Sequence, residues 1–196
     1  MDIMEKRSPV SAGRQDRSAN ERGGNERSMK RARKVTEYGR QLQEKQKVKE
    51  MYGLREKQFV RFFGIATRSQ EATGETLLSL LERRLDNVVF RLKFASTRAQ
   101  ARQIVVHGHV YVNGSKVHSP SYLISLNDEI SFAPQVAQKA VFLEQIVDKR
   151  LNTGVKVPEW LELDKKDRKG RVLRFPIRAD IQVPIEEYLI VELYSK

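Results

Sequence analysis

The chain has 196 residues, a length that suits one or two small domains rather than a large catalytic body. Its 37 lysine and arginine residues outnumber 25 aspartate and glutamate residues, and the resulting net charge of +12 is typical of a protein with a polyanionic partner. The absence of cysteine excludes disulfides, thiol nucleophiles and thiolate zinc sites, and no apolar stretch approaches the roughly 20 residues of a membrane span.

The excess positive charge lies in residues 1–118, because residues 119–196 carry twelve basic and twelve acidic side chains. We therefore expect the polyanion-binding surface in the first part of the chain. Residues 1–34 are rich in Ser, Gly, Asn, Arg and Glu and show almost no apolar periodicity, which predicts a tail that is disordered when free. A basic cluster at the end of this tail favours a tail that becomes ordered when it binds RNA. The alternative is a solvated tail that has no partner. The cluster consists of Lys30, Arg31, Arg33 and Lys34.

Two amphipathic helices are predicted after the tail. Apolar residues recur on one face of residues 36–52, and Gly53 is a plausible C-terminal stop. The second helix, residues 55–66, places three phenylalanines on one side. Their helical spacing favours core packing over base stacking.

Residues 75–94 are predicted to form one continuous helix with an unbroken apolar stripe. On another face of this helix, Arg84 and Arg91 stand seven residues apart and nearly in line. One side of the helix should therefore pack on a core, while the other binds anions.

A compact module is predicted for residues 81–133. Thr97 and Gln100 have the spacing of a capping box that begins a new helix, and Gly108 fits its end. Asn113 and Gly114 are the pair that most strongly signals a two-residue hairpin turn, and a third strand is expected near residues 129–132.

The predicted fold class is α+β, with this module inserted in a mostly helical domain. That domain would combine residues 35–80 with the C-terminal segment 134–196. Within the latter we expect a helix at 137–152, a hairpin across KKDRKG, and an apolar end that docks back on a core.

Basic and polar residues of the module can converge on one face, because its helices and hairpin must pack together. The basic candidates for phosphate contact are Arg84, Arg91, Lys93, Arg98, Arg102, His107 and Lys116. Gln100, Gln103 and Asn113 could reach riboses or base edges. The alternative is a solvated basic face without a partner, which we disfavour because the charge is concentrated here.

The sequence offers no residues for catalysis. It lacks a glycine-rich phosphate loop, a nucleophile elbow and a carboxylate pair in an apolar setting. His107, His109 and His118 lie within twelve residues, but a metal site would need further ligands at fixed spacing. We expect His107 and His109 to face a phosphate or to pack locally, and we expect neither a metal nor another cofactor.

The segment GETLLSLLERRLDNVVFRLKFASTRAQARQIVVHGHVYVNGSKV resembles the RNA-binding module of bacterial-type small-subunit ribosomal protein four. Its flanks resemble the same family in the same order, so that the resemblance covers roughly residues 33–196. These flanks are EYGRQLQEKQKVKEMYGLREKQF, PSYLISLNDEIS, VPEWLELD and LIVELYSK.

The resemblance implies a structural protein of the small ribosomal subunit that binds 16S-type ribosomal RNA directly, at a helix junction in the 5′ domain. It also implies nucleation of subunit assembly, contact with small-subunit ribosomal protein five and other small-subunit proteins, and a contribution to decoding accuracy. The location would be a cytoplasmic ribosome, with an organellar one as the alternative. By matching motif, a second RNA contact surface would include Arg40, Lys45, Lys47 and Lys49.

Residues 1–32 depart from the family's usual N-terminal arm, and the cysteine quartet that holds zinc in many members is absent. Two other kinds of protein share the module. The first is an RNA-modifying enzyme such as a pseudouridine synthase. It would need a separate catalytic domain, but only 63 residues follow residue 133, so we disfavour it. A stress-related ribosome-associated binder would not need residues 35–80.

Overall fold

The structure of the protein is a computed structural model that describes residues 36–137, Arg150 and residues 156–195. The predicted tail and nearly all of the helix expected at 137–152 lie outside these residues. Within the described part of the chain, no helix is long and apolar enough to cross a membrane.

The first two predicted helices are confirmed. Helix α1 (Glu37–Tyr52) begins after Thr36, whose hydroxyl accepts a hydrogen bond from the Gly39 N–H at 3.2 Å. It ends at Gly53, which has a left-handed φ of 60° that glycine adopts without steric cost. Helix α2 (Glu56–Ala66) buries its three phenylalanines, as the spacing predicts.

The prediction of one continuous helix over residues 75–94 is wrong, because the segment forms α3 (Thr73–Glu82) and α4 (Leu85–Arg91). Between them, Arg84 has an extended backbone and pairs with Leu123 in an isolated β-bridge. The Ile124 N–H donates to the Arg83 carbonyl at 3.1 Å, and the Leu85 N–H donates to the Tyr122 carbonyl at 2.9 Å. Residues 122–124, which are distant in sequence, thus bond to the backbone groups that would otherwise form the hydrogen bonds of a continuous helix.

The capping and hairpin signals of the module are confirmed. Helix α5 (Arg98–Val106) begins after Thr97, whose hydroxyl accepts from the Gln100 N–H at 3.1 Å. Strands β1 (Val110–Val112) and β2 (Ser115–Lys116) are joined by Asn113 and Gly114, which have φ angles of 50° and 76°. Two positive φ angles in a two-residue loop are the geometry that Asn-Gly favours.

Five antiparallel strands form one sheet in the order β2-β1-β3-β5-β4. Strand β3 (Glu129–Phe132) precedes the short helix α6 (Pro134–Ala137). Strands β4 (Leu161–Asp164) and β5 (Lys169–Val172) form the expected hairpin and add to the sheet beside β3. The sheet therefore extends past the boundary at residue 133, and the division into domains stays a prediction.

Two hydrophobic clusters fill the described part of the protein. The first, which we call the module core, joins α4 and α5 to the sheet and includes Leu92, Ile130 and Trp160. The second, the helical core, joins α1, α2 and α3 to residues 181–190. A 3-10 helix (Arg178–Asp180) precedes α7 (Glu187–Tyr194), which packs on α1 as expected for the apolar chain end. The α+β fold class is confirmed.

Gly170→Ala should destabilise the protein by roughly 1–3 kcal/mol, because overpacking forces neighbouring groups to move. A Cβ at Gly170 would lie 2.3 Å from Cδ1 of Leu92, which is itself fully buried in the module core. Urea unfolding would measure the effect. Gly64→Ala is the matched control: its Cβ meets nothing within 4 Å, and alanine in a helix should add about 0.5–1 kcal/mol. Wild-type stability in Gly170→Ala would contradict this packing.

Candidate nucleic-acid interface

Two of the arginines expected to bind phosphate take part in a network around a buried carboxylate. Glu82 is 1% exposed and accepts hydrogen bonds from Arg91 Nη2 at 2.6 Å and Arg91 Nε at 2.9 Å. It also accepts from the Tyr52 hydroxyl and from Asn87 Nδ2, each at 2.7 Å. Burial alone would raise the pKa of Glu82, but the hydrogen bonds and the charge of Arg91 hold it below its ordinary value. The carboxylate therefore stays charged inside the protein.

Arg98 extends this network to α5. Its Nε donates to Asn87 Oδ1 at 2.8 Å, and its guanidinium carbon lies 5.1 Å from the Tyr52 ring and 4.8 Å from the Phe90 ring. Burial and the charge on Glu82 raise the pKa of the Tyr52 hydroxyl far above its usual range. Arg91 and Arg98 thus stabilise the junction of α1, α3, α4 and α5.

The structure corrects the assignment of Arg84 and Lys93 to an exposed phosphate-binding face. Arg84 has no exposed side-chain surface, because the break between α3 and α4 turns it inward. There its Nε and Nη2 donate to Asp86 at 3.1 Å and 2.7 Å. Lys93 is 6% exposed, and burial together with the nearby charges of Lys165 and Arg150 lowers its pKa. Neither side chain is presented to a ligand in this structure.

Gln100 and Asn113 use their side-chain amides inside the protein. Gln100 Oε1 accepts from the Ser96 N–H at 2.6 Å and so fixes the start of α5. Asn113 Nδ2 donates to Asp128 at 2.8 Å, and its Oδ1 accepts from the Glu129 N–H at 2.9 Å. The Asn113 bonds connect the hairpin turn to β3; the expectation that the two amides reach riboses or base edges stays a prediction.

A smaller set of polar side chains remains on the surface of the module, around the end of α5. Gly108, with a left-handed φ of 70°, follows this helix. A Cβ there would lie 2.3 Å from Cε of Lys116 and 2.4 Å from Cε1 of His118, so these side chains lie directly over the glycine. His107 immediately precedes it. We call this surface the module face, and it comprises Arg102, Gln103, His107, Lys116 and His118.

The module face combines cations with hydrogen-bond donors. Arg102 keeps 39% of its side chain exposed while its Nη1 lies 3.6 Å from Asp86. Lys116 and Arg102 can neutralise phosphates, and the amide of Gln103 can both donate and accept at a ribose. The sequence analysis did not include His118 among the candidates, although the cluster of three histidines in the sequence is a signal that could have indicated it.

The lysines of α1 form ion pairs within the protein. Lys49 and Lys45 donate to the two oxygens of Glu56 at 2.6 Å and 2.9 Å, and together they lower the pKa of that carboxyl to about 2. Lys47 pairs with Glu44 at 3.2 Å and donates to the Pro184 carbonyl. Arg40 is exposed beside Lys47 in a groove between α1 and residues 184–189. Among residues 36–137, 150 and 156–195, Arg40 is thus the one predicted α1 cation with an exposed side chain and no ion pair.

Four further predictions concern residues that the structure does not describe: Lys30, Arg31, Arg33 and Lys34. Among residues 36–137, 150 and 156–195, no group of three or more histidine, cysteine, aspartate or glutamate side chains could hold a metal ion.

Two family models match consecutive parts of the chain. Residues 5–82 match the ribosomal protein S4/S9 N-terminal domain, and residues 83–130 match the S4 domain. The first match begins at residue 5, within the segment that seemed to depart from the family's usual arm.

Several relatives named small ribosomal subunit protein uS4 are similar to most of the chain. The protein from Thermoanaerobacter sp. (strain X514) is 53% identical over 164 residues, which cover 84% of this chain and 77% of the relative. The protein from Aquifex aeolicus is 51% identical over 178 residues, or 89% and 82% of the two chains. The protein from Chloroflexus aurantiacus (strain ATCC 29366 / DSM 635 / J-10-fl) is 49% identical over 166 residues, or 85% and 80%.

Glu82→Gln should destabilise the protein by about 3 kcal/mol at pH 7, because it leaves a cation in the network without its counter-charge. A carboxyl with a lowered folded-state pKa contributes stability above its unfolded pKa of about 4.3, and this contribution is lost as the pH falls through the folded-state pKa. The stability of the variant should therefore depend less on acidic pH than that of the wild type. Urea unfolding between about pH 3 and pH 7 would measure both effects.

Tyr52→Phe is the control, since it removes one hydrogen bond to the carboxylate without removing a charge. It should cost about 1.5–3 kcal/mol, as for other hydrogen bonds to charged groups, and should keep a larger dependence on acidic pH than Glu82→Gln. Equal stability of Glu82→Gln and wild type across that pH range would contradict the role of the buried carboxylate.

Proposed function

Because the chain belongs to the uS4 family of small ribosomal subunit proteins, we propose that its module face binds small-subunit ribosomal RNA directly. The protein is a structural constituent of the small ribosomal subunit and not an enzyme. Family membership gives the place of the protein in the ribosome; that these side chains contact the RNA directly is what we propose.

The observation that carries the proposal is the position of the module face within residues 83–130, which match the S4 domain. Arg84, Arg91 and Arg98 are committed to buried or half-buried contacts, whereas Lys116, His107 and Gln103 remain exposed. Structured RNA is recognised largely through phosphates and 2′-hydroxyls, which these side chains can contact without turnover.

The wider role follows from the family resemblance. We propose 16S-type ribosomal RNA, in its 5′ domain, as the partner, and early binding that nucleates assembly of the subunit body. Contact with small-subunit ribosomal protein five and a contribution to decoding accuracy belong to the same proposal, as does a cytoplasmic or organellar ribosome as the location. Residues 81–133 would be the RNA-binding module, completed by β4 and β5. The tail cluster of Lys30, Arg31, Arg33 and Lys34 would add contacts.

The proposal is tested by titrating the purified protein with a transcript of the 5′ domain and with an unrelated structured RNA of equal length. Tight, selective binding that weakens steeply with salt is expected. Lys116→Gln should reduce the log–log salt slope by about one, because one phosphate contact is lost. Lys166→Gln, in the β4–β5 turn, is the matched control and should leave the slope unchanged. Equal affinity of the wild type for both RNAs would overturn the proposal.

Glu56→Gln should increase RNA affinity at low salt and steepen the salt slope. The carboxylate is removed from both of its lysine partners, so Lys45 and Lys49 become free to bind phosphates. Because the Lys45 and Lys49 side chains are only 13% and 15% exposed, urea unfolding of the variant should first establish that it is folded. The same titration measures the effect. Unchanged affinity and slope would show that these lysines do not face the RNA.

A further inference from the structure

A buried carboxylate at the start of α4 lies beside the arginine of the module face. Asp86 is 5% exposed, and its two oxygens accept from Nε and Nη2 of Arg84 at 3.1 Å and 2.7 Å. Its Oδ1 also accepts from the Asn87 N–H at 2.9 Å, and the Asp86 N–H donates to the Pro120 carbonyl at 3.2 Å. Asp86 is therefore held in place through both its carboxylate and its backbone.

The guanidinium of Arg102 lies against the same carboxylate. Its Nη1 is 3.6 Å from Oδ2 of Asp86, and this nitrogen is buried although 39% of the side chain is exposed. Neither Nε nor Nη2 of Arg102 donates a hydrogen bond to any residue that the structure describes. One corner of the guanidinium is thus turned inward, and the edge formed by Nε and Nη2 is available to a ligand.

The charges of this cluster indicate an anionic ligand. The guanidinium groups of Arg84 and Arg102 share the single carboxylate of Asp86, so one positive charge is in excess. Because Arg84 is fully buried, a ligand can meet this excess charge at Arg102. The planar fork of arginine matches two oxygens of a phosphate, and it binds best when a neighbouring group has already fixed its orientation.

We propose that Asp86 is a positioning residue for RNA binding, which holds the guanidinium of Arg102 so that its Nε–Nη2 edge meets a phosphate. The inference rests on the proposed function, because it assumes that the module face binds RNA. It adds that a buried anion strengthens the binding of a polyanion. By its charge alone, a carboxylate this close to a bound phosphate would weaken binding through repulsion. Positioning and repulsion therefore predict changes of opposite sign when Asp86 is neutralised.

The test is a double-mutant cycle with the full-length protein and the 5′-domain transcript. Asp86→Asn keeps the shape of the side chain and removes its charge, and it should lower RNA affinity about fivefold. Arg102→Gln should lower affinity about tenfold and reduce the log–log salt slope by about 0.9. The double variant should bind as tightly as Arg102→Gln alone, because Asp86 acts through Arg102. A merely structural role of Asp86 would cause equal losses with and without Arg102→Gln.

Arg102→Lys tests the orientation without altering the buried network. Lysine keeps the charge and hence the salt slope, but it has no planar fork to bridge Asp86 and a phosphate, so affinity should fall about fivefold. Asp128→Asn is the matched control, since this 7% exposed carboxylate of the same module accepts from Asn113 and from the Ser125 N–H. Any loss that it causes should be the same with and without Arg102→Gln.

Urea unfolding establishes that each variant is folded under the conditions of the titration. If Asp86→Asn does not fold, Arg102→Lys decides alone. Wild-type affinity in Arg102→Lys, a higher affinity in Asp86→Asn, or equal losses from Asp86→Asn with and without Arg102→Gln would each overturn the positioning role. Selective binding by the wild type would then still uphold the proposed function. Lack of selectivity in the wild type would overturn the proposed function, and the positioning role with it.

Discussion

The arrangement of this protein depends on the buried carboxylate of Glu82. It ends α3 at the edge of the helical core and binds Arg91 and Asn87 of α4, which belongs to the module core. The hydroxyl of Tyr52 brings α1 to the same carboxylate, and Arg98 brings α5 to Asn87. A charge in this position is costly to bury unless it is fully hydrogen-bonded, so the network tolerates few alternative packings. The module face is thereby held at a fixed place relative to α1 and α2.

The basic residues consequently divide into three groups with different roles. Arg84, Arg91 and Arg98 hold the interior together, whereas Lys116 of the module face is exposed. Lysines of α1 form a third, intermediate group, because Glu56 neutralises Lys45 and Lys49 until a stronger anion competes. The net charge of +12, which belongs to the whole chain, is therefore not a measure of the positive charge exposed in the described part.

The sequence predicts those features whose causes are local. Thr36 and Gly53 delimit α1, Thr97 begins α5, and Asn113-Gly114 sets the hairpin, each through bonds or φ angles within a few residues. The break at Arg84 could not be predicted in this way, because it depends on Tyr122–Ile124 hydrogen bonds from far along the chain. The addition of β4 and β5 to the sheet is non-local for the same reason.

The same distinction explains which of the candidate binding residues are exposed. Gln103, His107 and Lys116 are exposed as expected, since they lie opposite apolar neighbours of α5 or in the hairpin. Arg84 was placed on an exposed face because the prediction assumed a continuous helix over residues 75–94. The direct test of this account is lysine acylation footprinting of the protein free and bound to the 5′-domain transcript. We expect RNA to protect Lys116 while Lys166 keeps its reactivity; an unprotected Lys116 with a protected Lys166 would contradict the account.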